Sequence, residues 1–332
     1  MDDIFNPSTR EIDHSVFAKH ILFFSGGKDS VYSYFALREA GVPAENIELH
    51  HHLIDGNEGS ELMDWPITES YCRAFAAAVG SPLYFSWRIG GFEQEMLRDG
   101  SPTSAIAYED EDHRLVIAPG RKRPPLGTRR RFPQVSSNLS QRWCSSSLKI
   151  DVADRLIRRQ FRFADERNYL VITGERAEES AARAKYEDFE KHRTYIDGRV
   201  HRYIYHSRLA KHAIEAEVWD MLKRHRINPH PAYHAGWGRT SCLTCIFGSH
   251  DQWATVQRHA PERFEEIRRY EEEFGVSIHR KMTIVEQAMM GRPYDVPPDV
   301  FQMAMGTDYT DNIIVEEWKM PLGAFGDASG PS

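Results

Sequence analysis

Hydrophobic and polar positions along the chain alternate in blocks that predict strands and helices in turn. Ala18 to Ser25 reads as a strand, Lys28 to Ala40 as a helix ended by Gly41 and Pro43, and Ile47 to Ile54 as a second strand. Thr68 to Val79 is helical with a stop at Gly80, and Leu83 to Arg88 is a third strand. From Gly90 to Ser140 the pattern breaks down into Gly, Pro, Ser and charged residues, which predicts an insertion or mobile lid over a site. Regular signals resume with a helix from about Ser145 to Gln160, a strand Tyr169 to Thr173 and a helix opening near Ala177. A strand Arg202 to His206 and an amphipathic helix from about Ala210 to His225 follow. The alternation predicts an α/β fold, a doubly wound, mostly parallel sheet with its ligand at the carboxyl ends of the strands. No internal repeat is visible, and the tail from Gly323 reads as disordered.

Composition narrows the class. The 332 residues are 41% hydrophobic and 27% charged, as in a globular chain able to bury a full core. No uninterrupted apolar run approaches membrane-spanning length, and the N-terminus lacks the regions of a signal peptide, so a cytoplasmic protein without a membrane partner is expected. The four cysteines are too few for a disulfide framework, and Cys242 and Cys245 form a C-x-x-C suited to metal or redox work. A net charge of −7 argues against nonspecific coating of nucleic acid. Residues 121 to 131 nevertheless gather Arg121, Lys122, Arg123, Arg129, Arg130 and Arg131 without an acid, and residues 191 to 212 carry a second basic excess. Each reads either as a solvated loop or as a contact for nucleic acid or an acidic partner.

Candidate chemistry begins at ILFFSGGKDS, residues 21 to 30, where an apolar strand runs into a glycine turn and a helix N-terminus. Free backbone N–H groups and the helix dipole suit such a turn to phosphate. Gly26 and Gly27 let the backbone close on an anion, Lys28 supplies charge, and Ser25 and Ser30 supply hydroxyls. The layout is not a Walker A loop. A second strand, turn and helix start, YLVITGERAEESAARAK from Tyr169 to Lys185, places Gly174, Arg176 and Arg183 where the arginines can face the same phosphates. Surface ion pairs with Glu179 and Glu187 are the plainer reading of both arginines. Cys144, beside Arg142 and Lys149, has the cationic surroundings that lower a thiol's pKa. Cys72 lies in an apparent helix and reads as core.

SGGKDS, RWCSSSLK, TGERAEESAARAK and EVWDMLKRHRINPHPAYHAGWGRTSCLTC occur in the order seen in the phosphoadenosine-phosphosulfate reductase family, over roughly residues 18 to 290. The first loop resembles the pyrophosphate loop of the related N-type ATP pyrophosphatases, and the whole looks most like the ATP-pyrophosphatase subunit of DNA phosphorothioation systems and similar phage or mobile-element proteins. The resemblance implies a sheet of the adenine-nucleotide alpha-hydrolase type with a C-terminal helical, cysteine-bearing segment. It divides the chain into an extension 1–17, a pyrophosphatase domain 18–226 with insertion 90–140, a cysteine-motif and helical region 227–322, and a tail 323–332. It further implies ATP and Mg²⁺, with Ser25, Gly26, Gly27, Lys28, Asp29, Ser30 and Gly174 as the nucleotide clamp and Lys28, Arg176 and Arg183 as catalytic charge. Cys144, Cys242 and Cys245 are implied as holders of a [4Fe-4S] cluster with one open iron. The expected partners are a nucleic acid acceptor, DNA before tRNA, and a cysteine desulfurase or other sulfur donor. The chain departs from adenylylsulfate reductases in having Ser145 after Cys144 and no cysteine after Cys245, which disfavours a reductase. A nonenzymatic nucleotide-binding module with structural Zn²⁺ on the three cysteines and His234 or His250 is the alternative of another class.

Overall fold

A computed structural model describes residues 4–6, 11–118, 120, 122–136 and 138–326. Five parallel strands form the centre of one mixed sheet: β1 (Phe17–Phe23), β2 (Ile47–Leu53), β3 (Leu83–Arg88), β6 (Asn168–Ile172) and β9 (His201–Ser207). With β4 (Ile106–Glu109), β5 (Leu115–Ala118) and β7 (Phe189–Lys191) at the edges, the order β5-β4-β3-β2-β1-β6-β9-β7 runs outward from β1 in both directions, so the chain reverses its winding between β1 and β6. That reversal opens a crevice at the carboxyl ends of two adjacent strands, the usual ligand position of such sheets.

The central strands are apolar because both faces are covered. Helices α1 (Lys28–Glu39), α2 (Thr68–Val79) and α6 (Glu215–Arg224) pack Val31, Tyr34, Leu37, Tyr71, Phe75, Val218 and Leu222 against one face. On the other face α5 (Asp151–Arg159) turns Val152, Leu156 and Ile157 inward against Ile21, Val171, Ile106 and Tyr108. The α/β, mostly parallel sheet expected from the pattern is therefore present, with β3 and α2 at the predicted residues.

Three stretches differ from the pattern read in the sequence. The stretch from residue 90 to 140, expected as an insertion or mobile lid where the pattern breaks down, contains regular elements. It holds α3 (Gly91–Met96) and the hairpin β4 (Ile106–Glu109) and β5 (Leu115–Ala118), which extends the sheet antiparallel from β3. Its strands are four residues long, too short for a periodic signal. No long helix opens near Ala177: short turns at Ala177–Glu179 and Arg183–Lys185 lead into β7 (Phe189–Lys191), because Ser180 takes an extended backbone. Gly323 to Gly326 are placed, with the Gly323 N–H donating to the Tyr233 carbonyl at 2.8 Å, whereas residues 327–332 of the expected disordered tail lie outside the described residues.

The C-terminal region adds α7 (Pro231–His234), α8 (His250–His259), α9 (Pro261–Phe274), α10 (Ile284–Met290) and α11 (Pro298–Met305) around a second apolar cluster that includes Trp65, Trp143, Trp237 and Trp253. No helix among the described residues is long and apolar enough to cross a membrane.

Burial holds His20, His192 and His230 down to about 3 and His206 to about 4. The unfolded chain takes up these protons below pH about 6.5 and the folded chain does not until pH 3–4, so this part of the stability is intact above about 6.5 and lost as the pH falls. Asp55, raised to about 7 by burial, acts in the opposite sense between about pH 4 and 7, and Glu271, also raised by burial, acts with it. Urea titrations should therefore show the unfolding free energy falling by a few kcal/mol from pH 7 to pH 4.5, at roughly 1.4 kcal/mol per unit of pKa difference. A flat profile would contradict the burial of these imidazoles.

Candidate functional site

The loop after β1 is shaped by its two glycines. Gly26 sits at φ +76°, a conformation that costs an L side chain about 1–2 kcal/mol, and Gly27 is extended before the first turn of α1. A Cβ on Gly27 would lie 2.2 Å from Thr240 Oγ1, so the cysteine-bearing loop crosses directly over the glycine loop. A Cβ on Gly174 would come within 3.1–3.2 Å of the Asp29 and Ser30 backbone, so the turn after β6 closes from the other side. Ser25 Oγ lies 3.4 Å from Ser30 Oγ, which donates to the Gly27 carbonyl at 2.8 Å. Ser25, Gly26, Gly27, Asp29, Ser30 and Gly174 thus come together at the switch point between β1 and β6.

The two foremost cations are built into the walls of this site. Lys28 is 2% exposed, and its Nζ donates to the Gly238 carbonyl at 2.8 Å and lies 3.4 Å from Glu215. Its backbone N–H donates to Tyr233 Oη at 2.9 Å. Burial works to lower the Lys28 pKa, but Tyr233, Asp29 and Glu215 outweigh it and the net shift is upward, so the ammonium stays charged. Arg176 donates from Nε to Asp29 at 2.6 Å, pairs with Glu178 and lies 3.7 Å from Glu215. Arg183 pairs with Glu179, the local ion pair weighed from the sequence. Burial lowers the Arg183 pKa, and the nearby charges of Arg239 and Arg142 lower it further.

Tyr233, Gly238, Thr240 and Glu215 hold the loop, although no local pattern marks Gly238, Thr240 or Glu215 for that role. Tyr233 had a signal in Asn228-Pro-x-x-x-Tyr-x-x-Gly236. Asp55, without a motif to mark it, lies buried just beyond the carboxyl end of β2. Burial raises this carboxyl to about 7, its Oδ2 accepts the Met63 and Asp64 N–H groups at 2.8 Å, and its Oδ1 is buried without a partner.

Cys144, Cys242 and Cys245 pack on the same apolar cluster, and the Cys245 charge acts on both of the others. Contrary to expectation, Cys144 is not a low-pKa thiol. Burial pushes it up to about 11, with Cys245 acting the same way and Lys149 and Arg142 opposing too weakly. Cys242 is raised well above the usual thiol range, first by burial. Among the described residues no group of three or more His, Cys, Asp or Glu side chains is arranged to hold a metal ion. The thiols are therefore neighbours without the arrangement of a formed centre, and a metal would have to draw them together and displace their protons. Of the suggested histidine ligands, His234 is 3.0 Å from Asn228 Oδ1, and His250 opens α8 with a buried, unpartnered Nδ1. Cys72 is fully buried in the core, as expected.

The basic segment is less free than its sequence suggests. Arg129 pairs with Glu95 at 2.8 Å, donates to Ser147 Oγ and covers the Trp143 ring, while Arg130 pairs with Glu273 on α9. Lys122 and Arg123 are exposed, and Arg121 lies outside the described residues.

No family model matches the chain. It is similar to a protein of Escherichia phage 186 described as an uncharacterized 37.8 kDa protein in the gpa 5′ region, 26% identical over 276 residues that cover 78% of this chain and 77% of that protein. Among solved structures it is similar to the phosphate complex of a phosphoadenylyl-sulfate (PAPS) reductase from Candida auris, with 13% identity and a TM-score of 0.39 over 68% of this chain and 81% of that one.

Gly26→Ala should place a side chain in the left-handed region, 3.3 Å from Cys72 Sγ, at the base of the glycine loop. The expected result is a loss of about 1–2 kcal/mol in stability by thermal melting and, where the loop is the nucleotide clamp that the resemblance implies, a fall of at least about tenfold in ATP affinity by calorimetry. Unchanged affinity would remove the loop from the nucleotide site.

Proposed function

We propose that the chain is a PP-loop ATP pyrophosphatase that adenylates an acceptor, with nucleic acid, and DNA before tRNA, as the acceptor class. The observation that carries the reading is the glycine loop at the sheet's switch point, with Gly26 left-handed, α1 starting at Lys28, and Gly174 packed against the Asp29–Ser30 backbone.

In this reading the loop's backbone N–H groups and the Ser25 and Ser30 hydroxyls hold the β- and γ-phosphates. An oxygen of the acceptor attacks the α-phosphorus, the bond to the bridging oxygen breaks, and pyrophosphate leaves with its charge held by the clamp. The acceptor is left as an adenylate, from which a sulfur nucleophile brought by a cysteine desulfurase or other donor protein displaces AMP. Arg183, at the rim, is the cation best placed to meet phosphate. Lys28 and Arg176 act from behind by fixing the loop against Glu215 and Asp29. Mg²⁺ would supply charge on the phosphate oxygens when bound.

A [4Fe-4S] centre on Cys144, Cys242 and Cys245 belongs to the same reading as the site for sulfur. What supports it is the shared apolar surroundings of the three thiols and the absence of a fourth cysteine near them in the sequence. It would supply a sulfide-carrying metal beside the nucleotide.

Incubation with ATP and acceptor should give AMP and pyrophosphate on ion-exchange chromatography. ADP and phosphate as products would refute the clamp. Lys28→Ala should lower both turnover and melting temperature, because it leaves Glu215 and the Gly238 carbonyl without their buried partner. Protein purified without oxygen should contain iron and absorb in the visible range, and serine at Cys144, Cys242 or Cys245 should abolish that absorbance while Cys72→Ser does not. Stoichiometric zinc without iron would turn the assignment to a structural metal.

A further inference from the structure

The sheet ends in two edges of opposite character. At one end β7 is three residues long, and Glu190 and Lys191 put charge on it, as sheet edges commonly do to avoid pairing with another chain. At the other end β5 reads Leu115-Val116-Ile117-Ala118, without a charge, a proline or a glycine, and among the described residues no strand lies beyond it. Val116 and Ala118 pack with Val152 and Leu156 of α5. Leu115 and Ile117 stand on the opposite face and are each 59% exposed.

The ladder fixes which backbone groups this edge presents. The Asp110 N–H donates to the Arg114 carbonyl at 3.0 Å, and further along the same pair of strands Tyr108 stands opposite Val116 and Ile106 opposite Ala118. Residues of an antiparallel pair alternate between bonding to the neighbour and pointing away from it. Val116 and Ala118 therefore bond to β4, and the N–H and C=O groups of Leu115 and Ile117 point out of the sheet. Charge is divided across the strand as well. Asp110, Glu111 and Asp112 lie in the turn before β5, Glu111 and Asp112 more than half exposed, while Lys122 and Arg123 are exposed after it.

We propose that β5 is a docking edge for a second copy of this chain, the two β5 strands running antiparallel about a two-fold axis at Val116. Leu115 then faces Ile117 of the second copy, the two exchange their outward backbone hydrogen bonds, and the sheet continues through both molecules. Leu115 and Ile117 of both copies share one face and cover one another. A slip of one residue would set exposed side chains against inward ones. A slip of two asks either for an N–H from Pro119, which has none, or for an extended His113, whose φ is +59°. Antiparallel pairing also carries the acidic turn of each copy toward Lys122 and Arg123 of the other, whereas a parallel arrangement would bring acid to acid. The pairing is independent of the adenylation reading.

The test is sedimentation velocity of the full chain over a concentration series. The wild type should reach a dimer with a Kd of about 100 µM or tighter and lose affinity as salt is raised. Ile117→Pro removes an outward N–H and leaves the bonds from Val116 and Ala118 to β4 in place, so it should weaken the dimer at least about tenfold with an unchanged circular dichroism spectrum. Should that variant fail to fold, Leu115→Lys, at an exposed position, should weaken the dimer in the same way. Lys122→Glu with Arg123→Glu should also weaken it, and adding Glu111→Lys with Asp112→Lys should restore it, which a contact made elsewhere on the surface would not do. A chain that stays monomeric to about 100 µM, a dimer indifferent to Ile117→Pro and Leu115→Lys, a charge reversal that the second reversal does not rescue, or an assembly that grows beyond the dimer overturns the pairing.

Discussion

The buried ammonium of Lys28 is the constraint on which the arrangement depends. A charge removed from water is tolerated only where partners surround it, and this one is met by a carbonyl from the cysteine loop, a carboxylate from α6 and the faces of Trp219 and Tyr233. The contacts tie three distant parts of the chain to the first turn of α1. The glycine loop, the C-terminal helices and α6 are thereby positioned by one another and not only by the sheet.

Around that anchor the sheet supplies direction. Because the winding reverses between β1 and β6, the turns after both strands point into the same crevice, and Gly174 allows them to approach at backbone distance. The cysteine loop closes the third side through Thr240 and is held from below by Thr244, whose hydroxyl donates to the Leu62 carbonyl at 2.8 Å, and by the Trp65 indole on the Ser241 carbonyl at 3.1 Å. Arg88, buried at the end of β3, grips the Ser147 carbonyl with Nε and Nη2 at 3.0 and 2.8 Å, fixing the irregular turn Ser146–Ile150 that follows Cys144.

The parallel centre was legible because fully covered strands leave largely apolar runs, as at Leu83 to Arg88, and because the helices between them stop at glycine, as Thr68 to Val79 does at Gly80. What escaped reading had no local period. The β4–β5 hairpin is too short to declare itself, and the run after Ala177 has helical composition but is broken at Ser180, whose backbone is extended, while the Ala177 N–H donates to the distant Lys211 carbonyl. The glycine loop was legible as a motif, yet the role of its lysine was not. Whether Lys28 faces a phosphate or the Gly238 carbonyl depends on a contact 210 positions away in sequence. In the same way the cations flanking Cys144 suggested an acidic thiol, and only the depth of its burial reverses the sign.

That separation has a consequence for how the molecule comes into being. The loop begins at residue 25, but the hydroxyl and carbonyl that satisfy Lys28 belong to residues 233 and 238, and the Tyr233 carbonyl is in turn occupied by Gly323. A nascent chain emerging from the ribosome carries the glycine loop long before it carries the groups that complete it. Such distant pairings make for slow, late consolidation. The central strands can assemble early, while the glycine-loop end of the sheet becomes native only as the last helices dock, so the site at the switch point is the final part of the fold to be completed.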